Sequence, residues 1–559
     1  MNDRYVIGLD FGTNSARAII ANTRNGDEVA ARVFDFPSGE KGVVLDGRNP
    51  DLARQHPADY LEAVKATVRG ALSEAAKTPG FTPEAVIGIG VDTTGSTPLP
   101  VDAEGTPLAF QDRFAANPAA MAWLWKDHTG HAEAAEITAL AGKMRPHYLA
   151  KCGGAYSSEW FWSKILHCKR TALEVFEAAH TWVEHADWMT GVLTGTSRPE
   201  TLKRCVCAAG HKAMFNPNWG GYPDADFLEA LDPALGRIRA TLPDRAYTIA
   251  DAAGGLTPEW AATLGLREGI PVAMGAFDAH LGAVGSGIQP GVLVKIIGTS
   301  CCDMMVAPLS RELPDIPGLC GIVPGSILPD GFGLEAGQSA VGDIFNWFVN
   351  YMRPENESHE SLTEKALRLK PGESGLLALD WHNGNRTVLV DQRLTGTLTG
   401  MTLQTRPEEV YRALIEATAF GARVIMERFM EYGMTVERIV NCGGISGKNA
   451  LLMQVYADVM GRPLEISKSA QTCALGAAMA GAVVAGKAAG GHDSFAKAAK
   501  AMVHADDKVY RPVEENRKIY DRLFRLYRKM HDSFGVRGYQ EGLFEVMKEL
   551  LVMRDEVRA

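Results

Sequence analysis

Asp10, Gly12, Thr13 and Asn14 stand together in the string Val6-Ile7-Gly8-Leu9-Asp10-Phe11-Gly12-Thr13-Asn14-Ser15-Ala16-Arg17. An apolar run that ends in a carboxylate, followed by a glycine and hydroxyl-bearing residues, suits a phosphate and its metal ion. The glycine admits backbone conformations in which successive N–H groups converge on an anion. Asp10 offers the hard oxygen that Mg²⁺ takes, directly or through water. An isolated Asp-x-Gly-Thr fits an ordinary hairpin turn equally well. Recurrence separates the two readings: Val292-Leu293-Val294-Lys295-Ile296-Ile297 runs into Gly298-Thr299-Ser300 and then into Met304-Met305-Val306.

The elements that position these residues are duplicated as well. Val86-Ile87-Gly88-Ile89-Gly90-Val91-Asp92 leads into Thr93-Thr94-Gly95-Ser96, and Ile439-Val440-Asn441-Cys442 leads into Gly443-Gly444-Ile445-Ser446-Gly447. Pro271 to Met274 with Asp278-Ala279-His280-Leu281-Gly282-Ala283 pairs with Leu464-Glu465-Ile466 and Thr472-Cys473-Ala474-Leu475-Gly476-Ala477. Three echoes in one order predict a duplicated α/β unit. In the third echo Asp278 takes the place of Thr472 at the start of a helix that follows a strand, so both corners should face the space between the two units. An N-cap is the ordinary use of such an aspartate. Two nucleotide-binding classes are disfavoured. Gly447-Lys448 is followed by Asn449 and lacks the upstream glycine of a P-loop, and no Gly-x-Gly-x-x-Gly follows a strand.

Longer strings carry a resemblance. They are Gly90-Val91-Asp92-Thr93-Thr94-Gly95-Ser96-Thr97-Pro98, Leu124-Trp125-Lys126-Asp127-His128, Ser157-Ser158-Glu159-Trp160, Ala209-Gly210-His211-Lys212 and Gly333-Leu334-Glu335-Ala336-Gly337-Gln338-Ser339. With them the chain resembles the FGGY carbohydrate kinases over nearly its whole length, and within that family the members acting on ribulose. The resemblance implies two ribonuclease-H-like domains of the actin-like ATPase type, with ATP, Mg²⁺ and a sugar held in the cleft between them. It implies that Asp278 is the base that takes the proton of the attacking hydroxyl, a role worth roughly 10² to 10⁴ in rate. His280, two residues on, reads as a packing or hydrogen-bonding residue. Gly95, Trp125, Lys212 and Glu335 are carried over as sugar contacts: close backbone approach, a flat apolar face, and two charged hydrogen-bonding groups. Gly12, Thr13, Asn14, Gly298 and Thr299 fall to the phosphates, Gly443, Gly444 and Asn449 to the nucleoside side, and Asp10 to the metal. Glycerol kinases and xylulokinases follow this Trp-x-Asp with an arginine two positions later, whereas here His128-Thr129 follows Trp125-Lys126-Asp127. The expected reaction is therefore ATP-dependent phosphorylation of ribulose, L-ribulose to L-ribulose 5-phosphate in arabinose catabolism. D-ribulose, ribitol, arabitol and xylulose stay open as acceptors. An actin- or chaperone-like ATPase switch is the rival of another class, and it has no need of a base facing a small acceptor.

At 559 residues the chain is too long for one ordinary core. The glycine-rich stretch Gly285-Ser286-Gly287-Ile288-Gln289-Pro290-Gly291 divides it into expected domains 1–286 and 287–559. A net charge of −10 leaves no electrostatic footprint for nucleic acid. The lack of a leader-like segment and of a membrane-length apolar run gives a cytoplasmic expectation with no membrane partner. Nine scattered cysteines read as reduced thiols. Trp, His and Lys are dense between Trp123 and Trp219, where the resemblance places the acceptor site. Arg353 to Glu373 reads as a helical excursion, and Ile519, Leu523, Leu526 and Tyr527 fall at helical spacing, for core or oligomer packing. A homodimer stays open beside a monomer.

Overall fold

The computed structural model describes residues 3–352 and 354–559. The first apolar run forms β1 (Tyr5–Phe11), buried along its whole length, as a strand covered on both faces must be. Around it lie β2 (Ser15–Asn22), β3 (Glu28–Asp35), β4 (Val86–Thr93), β5 (Ala252–Gly255) and β6 (Pro271–Ala273), in the order β5-β6-β4-β1-β2-β3. The short β7 (Ala276–Phe277) adds to the end of β4. β1 is antiparallel to β2 and parallel to β4, with Asp10 opposite Asp92 and Phe11 opposite Thr93.

The second sheet contains β8 (Val292–Ile297), β9 (Cys301–Pro308), β10 (Gly321–Pro324), β11 (Gly331–Gln338), β12 (Arg438–Cys442), β13 (Leu464–Ser467) and β14 (Ala505–Tyr510), in the order β10-β11-β9-β8-β12-β13-β14. β8 is antiparallel to β9 and parallel to β12. The three echoes thus occupy equivalent strands: β1 with β8, β4 with β12, β6 with β13. β10 is an added edge strand, and the antiparallel neighbour of β6 precedes it in the chain whereas that of β13 follows it.

Five helices matter for the site and its support. α1 (Pro57–Ala75) packs on β2 and β3, while α2 (Asp278–Gly285) and α4 (Thr472–Ala485) pack against each other. α3 (Pro407–Glu431) and α5 (Glu514–Gly535) contribute to the core of the second unit. Almost every residue of α4 is small, and the helix is buried against β1 and β4 of the first sheet. The contact is backbone on backbone: a Cβ on Gly8, Gly88 or Gly90 would collide with the carbonyls of Ala474, Gly481 and Ala477 respectively. Between α2 and α4, Gly285 and Gly476 play the same part against the Thr472 and Leu281 carbonyls. In α5, Leu523, Leu526 and Tyr527 are buried in the core, with Ile519 packed against it. Within the expected excursion, His359–Leu367 is helical; Arg353, its first residue, lies outside the described residues. Among the described residues no helix is long and apolar enough to cross a membrane.

Candidate active site

The parallel register of β1 and β4 puts Asp10 beside Asp92, and α2 begins with Asp278 just after β7 joins the end of β4. Three carboxyl groups thus share one corner. Burial pushes Asp10 above the usual carboxylate range, with the Arg17 guanidinium, its Nε 3.1 Å from Asp10 Oδ2, opposing that shift. Asp92 is driven well above it by burial and by the charge of Asp10, and neither of its oxygens has a conventional hydrogen-bond partner. Asp278, partly open to solvent, is pushed up to about 7 by its protein surroundings and by Asp10, against the Ala279 N–H that donates to its Oδ1 at 2.7 Å. A carboxyl poised there can exchange a proton near neutral pH.

Across the junction from this corner, Lys212 ends the helix Val206–Lys212 of the first unit and Glu335 lies on β11 of the second. Both are buried, and Lys212 Nζ sits 3.0 Å from each Glu335 oxygen. Burial alone would raise Glu335; the Lys212 ammonium outweighs it and holds the carboxyl well below the carboxylate range. Burial likewise opposes the charge on Lys212, and Glu335 outweighs it, so the ammonium is held above its ordinary value. The ammonium also lies 5.4 Å from the Trp160 ring and 5.8 Å from that of Phe277. The Phe277 ring fills the space a side chain on Gly95 would need. Gly95, Lys212, Asp278 and Glu335 therefore form one neighbourhood.

Each glycine turn is closed by a hydrogen bond from its glycine, over three residues in the first and two in the second. Gly12 N–H donates to the Ser15 carbonyl at 2.9 Å, and Gly298 N–H to the Ser300 carbonyl at 2.8 Å. Thr13 Oγ1 accepts the Trp125 indole N–H at 3.0 Å, while the Thr13 carbonyl accepts from Gln55 Nε2 at 2.7 Å. Trp125 is thus tied to the first phosphate-type turn. Asn14 Nδ2 is spent on the Lys41 carbonyl at 2.7 Å. On the second sheet, the Thr299 carbonyl accepts from Val341 N–H at 2.8 Å. Gly443, with φ at +96°, lies against the Ile297 carbonyl, and Gly444 faces open space. Asn449 caps the helix Ala450–Met460 by accepting from Leu452 N–H, which leaves its amide nitrogen and one lone pair of its oxygen for a ligand. Gly298, Thr299, Gly443 and Gly444 accordingly cluster at the end of the second sheet, apart from the acidic corner.

Several residues here escape a reading of motifs. Asp92 had a signal, since Ile89-Gly90-Val91-Asp92 copies Ile7-Gly8-Leu9-Asp10. Arg17 had its place in the first string; it also donates to Gln471 Oε1 at 2.5 Å, reaching the residue before α4. Lys164 and Glu184 had none. Lys164 Nζ donates to the carbonyls of Ser96 (2.8 Å), Leu124 (2.9 Å) and Trp123 (3.2 Å), and Glu184 accepts from Ser96 Oγ (2.8 Å) and Thr97 N–H (2.9 Å). Together they lock the Gly95 turn onto the segment bearing Trp125.

A half-buried carboxyl raised toward neutral pH, a buried lysine–glutamate pair and two glycine turns are the kinds of parts a phosphoryl-transfer site needs. The model of the N-terminal domain of the FGGY family of carbohydrate kinases matches residues 5–285, and that of its C-terminal domain matches residues 293–485. The chain belongs to this family. Among curated FGGY relatives, the ribulokinase of Shouchella clausii is 42% identical over 99% of each chain. That of Vibrio parahaemolyticus is 41% identical over 95% of this chain and 96% of its own. Of solved structures, a ligand-bound xylulose kinase from Lactobacillus acidophilus superposes with a TM-score of 0.77 at 18% identity, covering 96% of this chain and 99% of that one. Plasmodium falciparum glycerol kinase with ADP also gives 0.77, at 15% identity, covering 95% and 98%. These likenesses show the fold: two α/β domains of the actin-like, ribonuclease-H-like kind. The enzyme is an FGGY carbohydrate kinase, and such kinases take their phosphoryl group from ATP.

Proposed function

We propose that this enzyme phosphorylates ribulose, L-ribulose to L-ribulose 5-phosphate in the preferred reading, with the domains dividing at residues 286 and 287. The observation that carries it is the Lys212–Glu335 pair set beside Asp278, joined to full-length relatives named ribulokinase. Lys212 and Glu335 hold the ketose by charged hydrogen bonds, with Gly95 allowing the chain to approach it. That orients a terminal hydroxyl toward Asp278, whose carboxylate accepts the proton as the oxygen attacks the γ-phosphorus. Gly12, Thr13 and Asn14 face the phosphates from one domain and Gly298 and Thr299 from the other, with Gly443, Gly444 and Asn449 on the nucleoside side. The residues fit Mg²⁺: two unpartnered, buried oxygens of Asp92 beside Asp10 are hard donors that a cation would satisfy. Asp10 and Asp92 would hold it, and when bound it supplies positive charge against the phosphates. Arg17, on Asp10, adds a further cation on that side.

ADP release measured with L-ribulose, D-ribulose, D-xylulose, ribitol, L-arabitol and glycerol tests the reading. The expected result is the highest kcat/KM for L-ribulose and slow ADP release without sugar. A preference for glycerol or xylulose would overturn the substrate; sugar-independent turnover would overturn the kinase assignment of this site.

A further inference from the structure

Three ring nitrogens beside Glu335 lack hydrogen-bond partners: Nδ1 of His211 and both nitrogens of His280. Both residues are 2% exposed. His211 Nδ1 lies 3.3 Å and His280 Nε2 3.8 Å from Glu335 Oε2, and the two rings pack edge to face with centroids 4.5 Å apart. Buried polar atoms without partners call for an explanation. The ring of His211 is oriented from behind. Its Nε2 is 2.9 Å from Ser326 Oγ, whose own proton goes to the Val323 carbonyl at 3.1 Å, so Nε2 is the donor, and Nδ1, although 3.3 Å from Oε2, is not aligned to donate to it. Gly321 makes room for this, since a Cβ there would collide with Nδ1. Burial pushes both imidazoles below their ordinary range, His280 to about 4, so neither brings a charge to Glu335 near neutral pH.

The ligand atoms of His211, His280 and Glu335 all lie within 4.8 Å of one another, a grouping that divalent ions also use. Here the Lys212 ammonium already sits 3.0 Å from both carboxylate oxygens. A doubly charged ion beside it, in a site shielded from water, meets strong repulsion. We propose instead that His211 and His280 are positioning residues for sugar recognition: they wall in Oε2 of Glu335 without donating to it, so the carboxylate keeps acceptor capacity for a hydroxyl of the incoming sugar. Two donating rings together with Lys212 would occupy most of the roughly four lone-pair positions a carboxylate offers. The inference rests on the reading of Lys212 and Glu335 as the acceptor site.

Steady-state kinetics of the full-length enzyme, with ribulose and ATP varied separately, tests it in His211→Asn, Glu335→Gln and the double variant. The asparagine amide reaches Oε2 from the place of Nδ1 and can donate to it. The expected result is a ribulose KM raised about tenfold or more and an ATP KM within about threefold, with the variant folded by thermal melting. The increase should vanish in the Glu335→Gln background, because the effect runs through that carboxylate. An unchanged ribulose KM in folded His211→Asn, or an equal rise for both substrates, overturns the inference. Should His211→Asn not fold, His280→Gln repeats the test from the other ring. Stoichiometric zinc in the unmodified enzyme, with loss of ribulose affinity on chelation, also overturns it, since the trio would then be a metal centre. If Glu335→Gln itself leaves the ribulose KM unchanged, the acceptor-site assignment fails and this inference falls with it.

Discussion

The two sheets share the topology of a five-strand core and differ at the corner where the carboxyl groups gather. Counting back from the glycine turns, Asp10 in β1 corresponds to Ile296 in β8; across the parallel register, Asp92 corresponds to Cys442; at the helix starts, Asp278 corresponds to Thr472. The first domain has a carboxylate at all three places and the second has none. A corner of three acids repels phosphate unless a cation is present, and in the proposed reading it supplies the base. A neutral corner tolerates a nucleoside. The glycines diverge too: Gly8 and Gly90 correspond to Val294 and Val440, because only the first sheet receives a helix of the other domain at backbone contact. Duplication therefore set the frame, and side-chain divergence assigned each copy its task.

Removing what sets the first copy apart from the second should break it in two ways. The largest effect is expected from Gly90→Val, which installs the residue of the second sheet where the Ala477 carbonyl leaves no room. The obstacle is helix backbone and cannot swing away, so the cost should reach about 3 kcal/mol or more. Thermal unfolding should show a large loss of stability or no folded protein; a melting temperature near the original would mean that α4 does not pack as described.

Next comes Asp278→Asn. Turnover should fall by roughly 10² or more, with both KM values within several-fold. The pH profile sharpens this. A base raised to about 7 must lose its proton to work, so kcat should rise with pH through about 7 in the original enzyme, and that limb should disappear in the variant. Stability runs the other way. A carboxyl whose folded pKa lies above its unfolded one withdraws stability as pH rises from the unfolded range toward 7, so the variant should melt higher than the original at pH 8. Near-normal turnover would remove Asp278 from the mechanism.

Lys212→Ala and Glu335→Ala should act more weakly and on one substrate. Each loses charged hydrogen bonding worth roughly 1.5 to 3 kcal/mol, seen as a higher KM for ribulose with little change for ATP. Both residues are buried and paired across the domain junction, so melting curves should accompany the kinetics. A larger effect on ATP would move the pair to the nucleotide side.

Much of this comparison was readable before any coordinates. The strand echoes predicted equivalent positions because a buried parallel strand must be apolar along its length and must end in a turn that small residues permit. Asp278 stood out because its counterpart is Thr472. What could not be read was lateral. No spacing in the sequence says that Lys164 gathers three carbonyls, that Glu184 clamps Ser96 and Thr97, or that His211 and His280 converge on Glu335 from 124 and 55 residues away. Such contacts depend on how the aromatic-rich insertion folds over the first sheet. Asn449 follows a glycine turn, where a ligand contact is proposed; that its side-chain oxygen also caps a helix was equally beyond the reach of spacing.

The smallest expected effect concerns motion between the two copies. Gly12 and Gly298 form turns on different sheets, and in the proposed reading both grip one ATP, which calls for the domains to approach each other. The pivot is constrained. α2 and α4 meet at Gly285 and Gly476 with no room for a side chain, and α4 is pressed onto the first sheet, so closure must turn about this helix pair without prying it apart. The proposed hinge lies just beyond, between the end of α2 at Gly285 and the start of β8 at Val292, where Gly287 and Gly291 both have positive φ. Closure would also exclude water, which otherwise accepts the phosphoryl group, and it would link sugar binding to turnover. Small-angle scattering with ribulose and a non-hydrolysable ATP analogue should give a smaller radius of gyration than the free enzyme. Replacing Gly287 and Gly291 by alanine, which strains both left-handed positions, should reduce that change and lower kcat with little effect on the ribulose KM. An unchanged radius with both ligands bound would mean that the two copies already stand at their working distance, and the asymmetry between them would then be purely chemical.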